Sequence, residues 1–260
     1  ITTGKGLVIV DIDDPTSPRV VKTIGEPQLR HPRAIAVQFR YGFLTDDDGL
    51  KVIDLTLLPP GPCKDSSSAP CKSLPRGEVV AGATVPLAHA QDVYVARTYA
   101  YVADGPDGLS IVDVTRPESP RLFMNFNAEG QLNDTRQVKI AMTNASLFAY
   151  VADGKNGLRI LQLTSPETMA TYGGFSPAPE PRLISTFRTH GPALAVSKGL
   201  DRDRAVDESG NQLAVFGRRG ARPFTLAEMQ RLYLLDGRLR TVLDVDELKE
   251  PPPRVRDPLK

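Results

Sequence analysis

Three histidines share one position in a recurring pattern: His31-Pro-Arg-Ala34, His89-Ala-Gln-Asp92 and His190-Gly-Pro-Ala193. Each stands three residues ahead of a short run of small and β-branched residues that reads as a strand. If those strands line one axis, the imidazoles reach it at one height. There they could ligate a transition metal or cap the haem of a partner, chemistry for which a neutral ring nitrogen is suited. A fourth copy of the lead-in has Thr135 or Arg136 in that place. The competing reading is structural, since histidines at turns also bond to backbone carbonyls. His31, His89 and His190 are therefore the candidate metal or haem ligands.

Acidic turns form a second group: Asp46-Asp-Asp-Gly49, Asp104-Gly-Pro-Asp107 and Asp153-Gly-Lys-Asn156. Oxygen donors suit calcium, but none of the three has EF-hand spacing or a closing bidentate glutamate. Hairpin chemistry alone accounts for the Asp and Gly residues. The two cysteines, Cys63 and Cys71, flank a Ser- and Pro-rich stretch. Their spacing excludes a CxxC metal pair, so the best reading is a disulfide closing a surface loop, with two free thiols as the alternative. A disulfide implies an oxidising compartment, and so short a loop gains about 2–3 kcal/mol in the chain-entropy model.

Two charged segments remain. Asp201, Arg202, Asp203 and Arg204 lie in a long polar run, and Arg218, Arg219 and Arg222 form a small basic cluster. Both read as solvated loops or as docking surfaces for protein. With a net charge of +1, they are too few for nucleic-acid binding. No Gly-x-Ser-x-Gly, phosphate loop or dinucleotide fingerprint occurs, so no enzyme active site is recognisable. Without Cys-x-x-Cys-His, no haem is attached covalently.

The elements that position these residues are repeats. Tyr101-Val-Ala-Asp-Gly-Pro-Asp-Gly-Leu-Ser-Ile-Val-Asp-Val114 returns as Tyr150-Val-Ala-Asp-Gly-Lys-Asn-Gly-Leu-Arg-Ile-Leu-Gln-Leu163, and in shorter form from Phe43 to Leu55. The Gly-Leu pairs at 6, 49, 108 and 157 stand 43, 59 and 49 residues apart. Such a period fits one four-stranded propeller blade. Each copy resolves into an inner strand (Ala34–Val37, Asp92–Val95, Val138–Ala141, Ala193–Val196), two strands around an Asp-Gly hairpin, and an outer strand such as Arg19–Ile24 or Arg182–Phe187. In a fifth copy, 213–217, 232–236 and 239–243 follow the same template around an insertion at 218–231. Within it, Thr225-Leu-Ala-Glu228 has capping-box spacing for a helical turn.

The fold class expected is all-β, a propeller of four-stranded antiparallel blades. About four and a half blades are present, from a propeller of roughly six to eight. Residues 1–248 form the blades, the first with only its last two strands, and 249–260 form a Pro-rich tail. The chain opens at Ile1 directly in a strand pattern, which reads as a piece of a longer chain whose preceding part completes the first blade. Hydrophobic residues make up 40% and charged residues 24%, an ordinary globular balance with no membrane-spanning run.

The motifs Gly6-Leu-Val-Ile-Val-Asp11, Gly108-Leu-Ser-Ile-Val-Asp113 and Tyr101-Val-Ala-Asp-Gly105 resemble the LVIVD-repeat family of bacterial and archaeal secreted or cell-surface propellers. The resemblance covers most of residues 1–190. It implies export to the periplasm, cell surface or exterior, and no defined catalytic activity. Some relatives look fused to, or associated with, multihaem cytochromes. The leading expectation is an exported, non-enzymatic scaffold that binds other proteins through loops at 58–77, 165–181, 198–211 and 218–230. The alternatives are an accessory of an electron-transfer assembly of multihaem cytochromes, and a channel-sited metal-dependent hydrolase or lyase.

Overall fold

The computed structural model describes residues 1–11, 18–57, 76–142, 146–165 and 175–197, with short pieces between 214 and 239. The chain divides into two units, Ile1–Ser197 and Lys198–Lys260. Cys63, Cys71, Asp201, Arg202, Asp203, Arg204 and the 249–260 segment lie outside the described residues.

Among its described residues the first unit holds four antiparallel sheets, each a simple meander. The first joins β1 (Thr2–Thr3), β2 (Gly6–Asp11) and β3 (Arg19–Ile24). The second joins β4 (Ala34–Gln38), β5 (Tyr41–Asp46), β6 (Gly49–Asp54) and β7 (Glu78–Pro86). The third joins β8 (Asp92–Ala96), β9 (Tyr99–Ala103), β10 (Leu109–Asp113) and β11 (Arg121–Phe126). The fourth joins β12 (Gln137–Met142), β13 (Leu147–Ala152), β14 (Leu158–Thr164) and β15 (Arg182–Phe187). Inner strand β8 packs beside both β4 and β12. The fold is all-β and built of four-stranded antiparallel propeller blades.

The sequence dictates this layering through its two-residue period. Along β5, Leu44 joins a core with Leu7, Ile24, Leu29 and Ile53, between the first and second sheets. Its neighbour Phe43 joins Val52, Val85, Val93, Ala100 and Val102, between the second and third. Tyr101 and Ile111 then meet Val138, Ile140 and Ala149 of the fourth sheet. A middle strand thus buries both faces, each against a different neighbour, and so reads as a continuous apolar run. Outer strand β15 is exposed along nearly all its length. Burial pushes the Tyr101 phenol well above its usual range.

The copies are equivalent in fine detail. Pairing of the last two strands slips after Ile9, Ile111 and Ile160, three positions that share one register, and in the second sheet after Lys51, one position earlier. At each Gly-Leu pair the outer strand's backbone crowds the glycine. A Cβ on Gly49 would lie 2.2 Å from Val85 O, and one on Gly108 2.6 Å from Phe126 O. Both have positive φ, so no other residue fits without displacing the outer strand.

Three expectations change. The first sheet has three strands rather than two, because Thr2 and Thr3 pair with Leu7 and Gly6. The inner strand expected at Ala193–Val196 is not formed: Ala193 makes a single bridge to Gly154, and Leu194 stays exposed. In the second unit, most of which lies outside the described residues, strands fall inside the segment read as an insertion. Two residues after β16 (Ala214–Val215), the chain turns back as β17 (Arg218–Arg219), which pairs with β18 (Arg222–Pro223). A separate hairpin joins β19 (Leu234–Leu235) to β20 (Arg238–Leu239). The 218–231 segment is thus partly strand, and Leu226 and Ala227 are helical where the capping box was read.

Candidate functional site

The chemistry of the first unit concentrates in the Asp-Gly hairpins between the second and third strands of each complete sheet. Asp46, Asp104 and Asp153 occupy one register there and are 0%, 2% and 0% exposed. Each carboxylate reaches the chain that leads into its own inner strand. Asp46 accepts a hydrogen bond from Arg30 N at 3.0 Å, Asp104 from His89 N at 3.0 Å, and Asp153 from Asp134 N at 2.8 Å. A buried carboxylate is tolerable only when its lone pairs are filled, and this cap fills one of them while tying strand to hairpin.

What fills the rest differs between sheets and comes from the second residue after the glycine. In the second sheet this is Lys51. Its Nζ sits 2.7 Å from Asp46 Oδ2, 2.7 Å from Asp48 Oδ2 and 3.0 Å from Gln28 O. Burial alone would pull the Lys51 ammonium down, but the two carboxylates outweigh it and its pKa is raised. The same ammonium lowers that of Asp48. In the third sheet it is Ser110, whose Oγ donates to Asp104 at 2.7 Å and accepts from Asn125 Nδ2 at 2.9 Å. In the fourth it is Arg159, with Nε 3.6 Å from Asp153 Oδ2, while Asn156 Nδ2 donates to that oxygen at 2.9 Å. There desolvation dominates, and the Asp153 carboxyl is raised.

The imidazoles do not gather on one ion. His31 Nδ1 lies 2.6 Å from Asp47 Oδ2, a carboxylate shared with Arg33 at 2.5 Å and lowered chiefly by the His31 bond. His89 Nδ1 lies 2.9 Å from Asp107 Oδ2. His190 is exposed beside the Gly154–Ala193 bridge. Each ring belongs to its own lead-in, because the first two fold back onto the adjacent hairpin instead of pointing across to the next sheet. The equivalent residue of the fourth sheet is Asp134, not Thr135 or Arg136, since β12 starts at Gln137, one residue earlier than expected. Asp134 accepts from Lys155 N at 3.0 Å and pairs with Arg136, which together hold its carboxyl low. Among the described residues, one group of three potential ligands has its donor atoms within 4.8 Å: His89, Asp104 and Asp107. The sequence shows Asp104 and Asp107 in a turn, but not that His89 folds onto it.

The repeat that carries these hairpins has a counterpart among known families: the LVIVD repeat matches residues 1–24, 88–128 and 147–172. The chain carries LVIVD repeats at these three stretches. No curated protein matches the chain. The matched stretches fall on the first, third and fourth sheets. The second lies outside them, yet repeats their strand order, bulge and Asp cap. The letters of the repeat have separate tasks here. Its leucine and alternate residues, such as Leu7, Leu109 and Ile111, enter the cores between sheets. Its closing aspartate caps the following turn: Asp113 Oδ1 accepts from Thr115 N at 2.8 Å, as Asp54 Oδ1 does from Thr56 N. The LVIVD aspartate is therefore structural, and the hairpin aspartates are the ones placed to do more.

Of the other candidates, Arg218 and Arg219 form β17 and Arg222 opens β18, so they belong to strands rather than to one loop. No helix among the described residues is long and apolar enough to cross a membrane.

Proposed function

We propose that this chain is an exported, non-catalytic interaction module that binds other proteins through its hairpin tips and outer strands. Phe39 carries this reading. It sits at the tip of the β4–β5 hairpin, 94% exposed, with φ of 53°. The left-handed conformation costs an ordinary L-residue about 1–2 kcal/mol. The turn needs positive φ, since Arg97 takes 56° in the corresponding place of the third sheet. Glycine or asparagine would satisfy it at less cost, and neither exposes a phenylalanine ring to water. An aromatic retained against both conformation and solvation fits a contact anchor. Leu122, Ile184 and Phe187 on the outer strands add exposed apolar surface. Export follows from the family resemblance and from the reading of Cys63 and Cys71 as a disulfide.

The test is a photocrosslinking residue in place of Phe39, used in the native host, with the captured partner then purified and its affinity measured. Phe39→Asp should weaken that binding by roughly thirtyfold, the loss of one interface hot spot of about 2 kcal/mol. Phe39→Gly should weaken it too, while stabilising the isolated chain by about 1 kcal/mol in urea unfolding. Unchanged affinity in both variants would overturn the reading.

A further inference from the structure

The second and third sheets bring two carboxylates to the same two places. Asp46 and Asp104 are the buried pair, and Asp48 and Asp107 each immediately precede the glycine of a Gly-Leu pair. In the second sheet a single cation serves both carboxylates, because Lys51 Nζ is 2.7 Å from each. In the third sheet the residue in that register is Ser110, which is short and uncharged. It supplies Asp104 with a hydrogen bond and Asp107 with nothing. The third sheet has an imidazole instead. Gly105 seats it: with φ of 53°, this glycine lets His89 come so near that a Cβ there would lie 2.9 Å from the His89 Cβ. The His89 backbone is bonded to Asp104 and its Nδ1 to Asp107.

One nitrogen and two carboxylate oxygens therefore stand within 4.8 Å of one another. Donors bound tetrahedrally at about 2.0–2.2 Å are separated by about 3.4 Å, so small rotations complete the set. His89 and Asp107 are half-exposed and can make them, whereas Asp104 is fixed by its burial. We propose that the third sheet takes from solution the cation that the second carries on Lys51: a divalent transition-metal ion such as Zn²⁺, held by His89, Asp104 and Asp107. The mixed nitrogen and oxygen set favours such an ion over calcium, which prefers oxygen alone. Exposure on the His89 side leaves the remaining coordination position to water.

The test uses the full chain without a polyhistidine tag, stripped by chelator and titrated with Zn²⁺ alone, read by calorimetry and by competition with a chromogenic chelator. The wild type should bind one equivalent. His89→Ala and Asp107→Asn should each weaken it by roughly tenfold or more, and His31→Ala should leave it unchanged. Ser110→Lys supplies the third sheet with the ammonium of the second and should abolish binding while the fold, followed by circular dichroism, persists. Should that variant fail to fold, Asp107→Asn, at a half-exposed turn position, carries the decision. No binding by the wild type, equal binding by the His89→Ala and Asp107→Asn variants, or loss on His31→Ala instead would each overturn the proposal.

Discussion

The hairpins of the second and third sheets solve one problem in two ways. Both bury an aspartate that holds an inner strand to its own sheet. The second pairs it with an internal ammonium that also serves Asp48, and the third satisfies it with hydrogen bonds from the Ser110 hydroxyl and the His89 backbone amide. The difference rests on one side chain, Lys51 against Ser110, each the second residue after the glycine of its Gly-Leu pair. A repeat can therefore keep its backbone and its cap while the electrostatics of its turn are rewritten. That freedom is available because the cap is a backbone contact, indifferent to which cation or donor stands behind the carboxylate.

Lys51→Ala should break the comparison most severely. It strands Asp46 as an unpaired buried charge and should cost about 3–5 kcal/mol in urea unfolding. Ser110→Ala removes only one hydrogen bond to Asp104 and should cost about 1–2 kcal/mol by the same measurement. If the two losses were equal, the distinction between an ionic and a neutral turn would fail. Acid titration sharpens it further. Asp47 is lowered chiefly by its hydrogen bond with His31 and Asp48 by that with Lys51, so the stability they add is present above the ordinary carboxylate range and is lost as pH falls through their depressed values. Asp153 in the fourth sheet is raised by burial, so protonation there relieves a cost and acts with the opposite sign. Unfolding midpoints measured from neutral pH downward should accordingly fall less steeply in Asp48→Asn than in wild type, and more steeply in Asp153→Asn. The smallest effect belongs to Asp113→Ala, which removes the exposed cap on Thr115 and should cost about 1 kcal/mol.

Much of this architecture was legible in the residues. Alternation in Phe43-Leu44 and Tyr101-Val102, the Gly-Leu pairs and the Asp-Gly turns mark strands, hairpins and period directly, because each is a local requirement of backbone geometry. The site was less so. That His89 is a neighbour of Asp104 depends on a pairing between segments fifteen residues apart. The spacing of three histidines suggested a ring, but His31 and His89 each turn onto the hairpin of their own sheet. The displaced assignment in the fourth copy has a simple origin: β12 gains one pair, Gln137 with Ala152, which moves the equivalent position back to Asp134. Within the 213–243 segment the difference lies in the stretch at 218–231. The segment's apolar runs fit the template, but Arg218, Arg219 and Arg222, read as part of an insertion, stand in short strands that pair with near neighbours in the chain.

Because the middle strands of the second and third sheets each serve two different cores, the sheets of the first unit cannot loosen independently. β9 and β10 are sandwiched between complete sheets on either side, and Gln38 Nε2 crosses to Arg97 O as Tyr41 crosses to Glu118. Opening should therefore proceed inward from the flanks, and the amides of Tyr101, Val102 and Ile111 should be the last in the unit to trade their protons for deuterium.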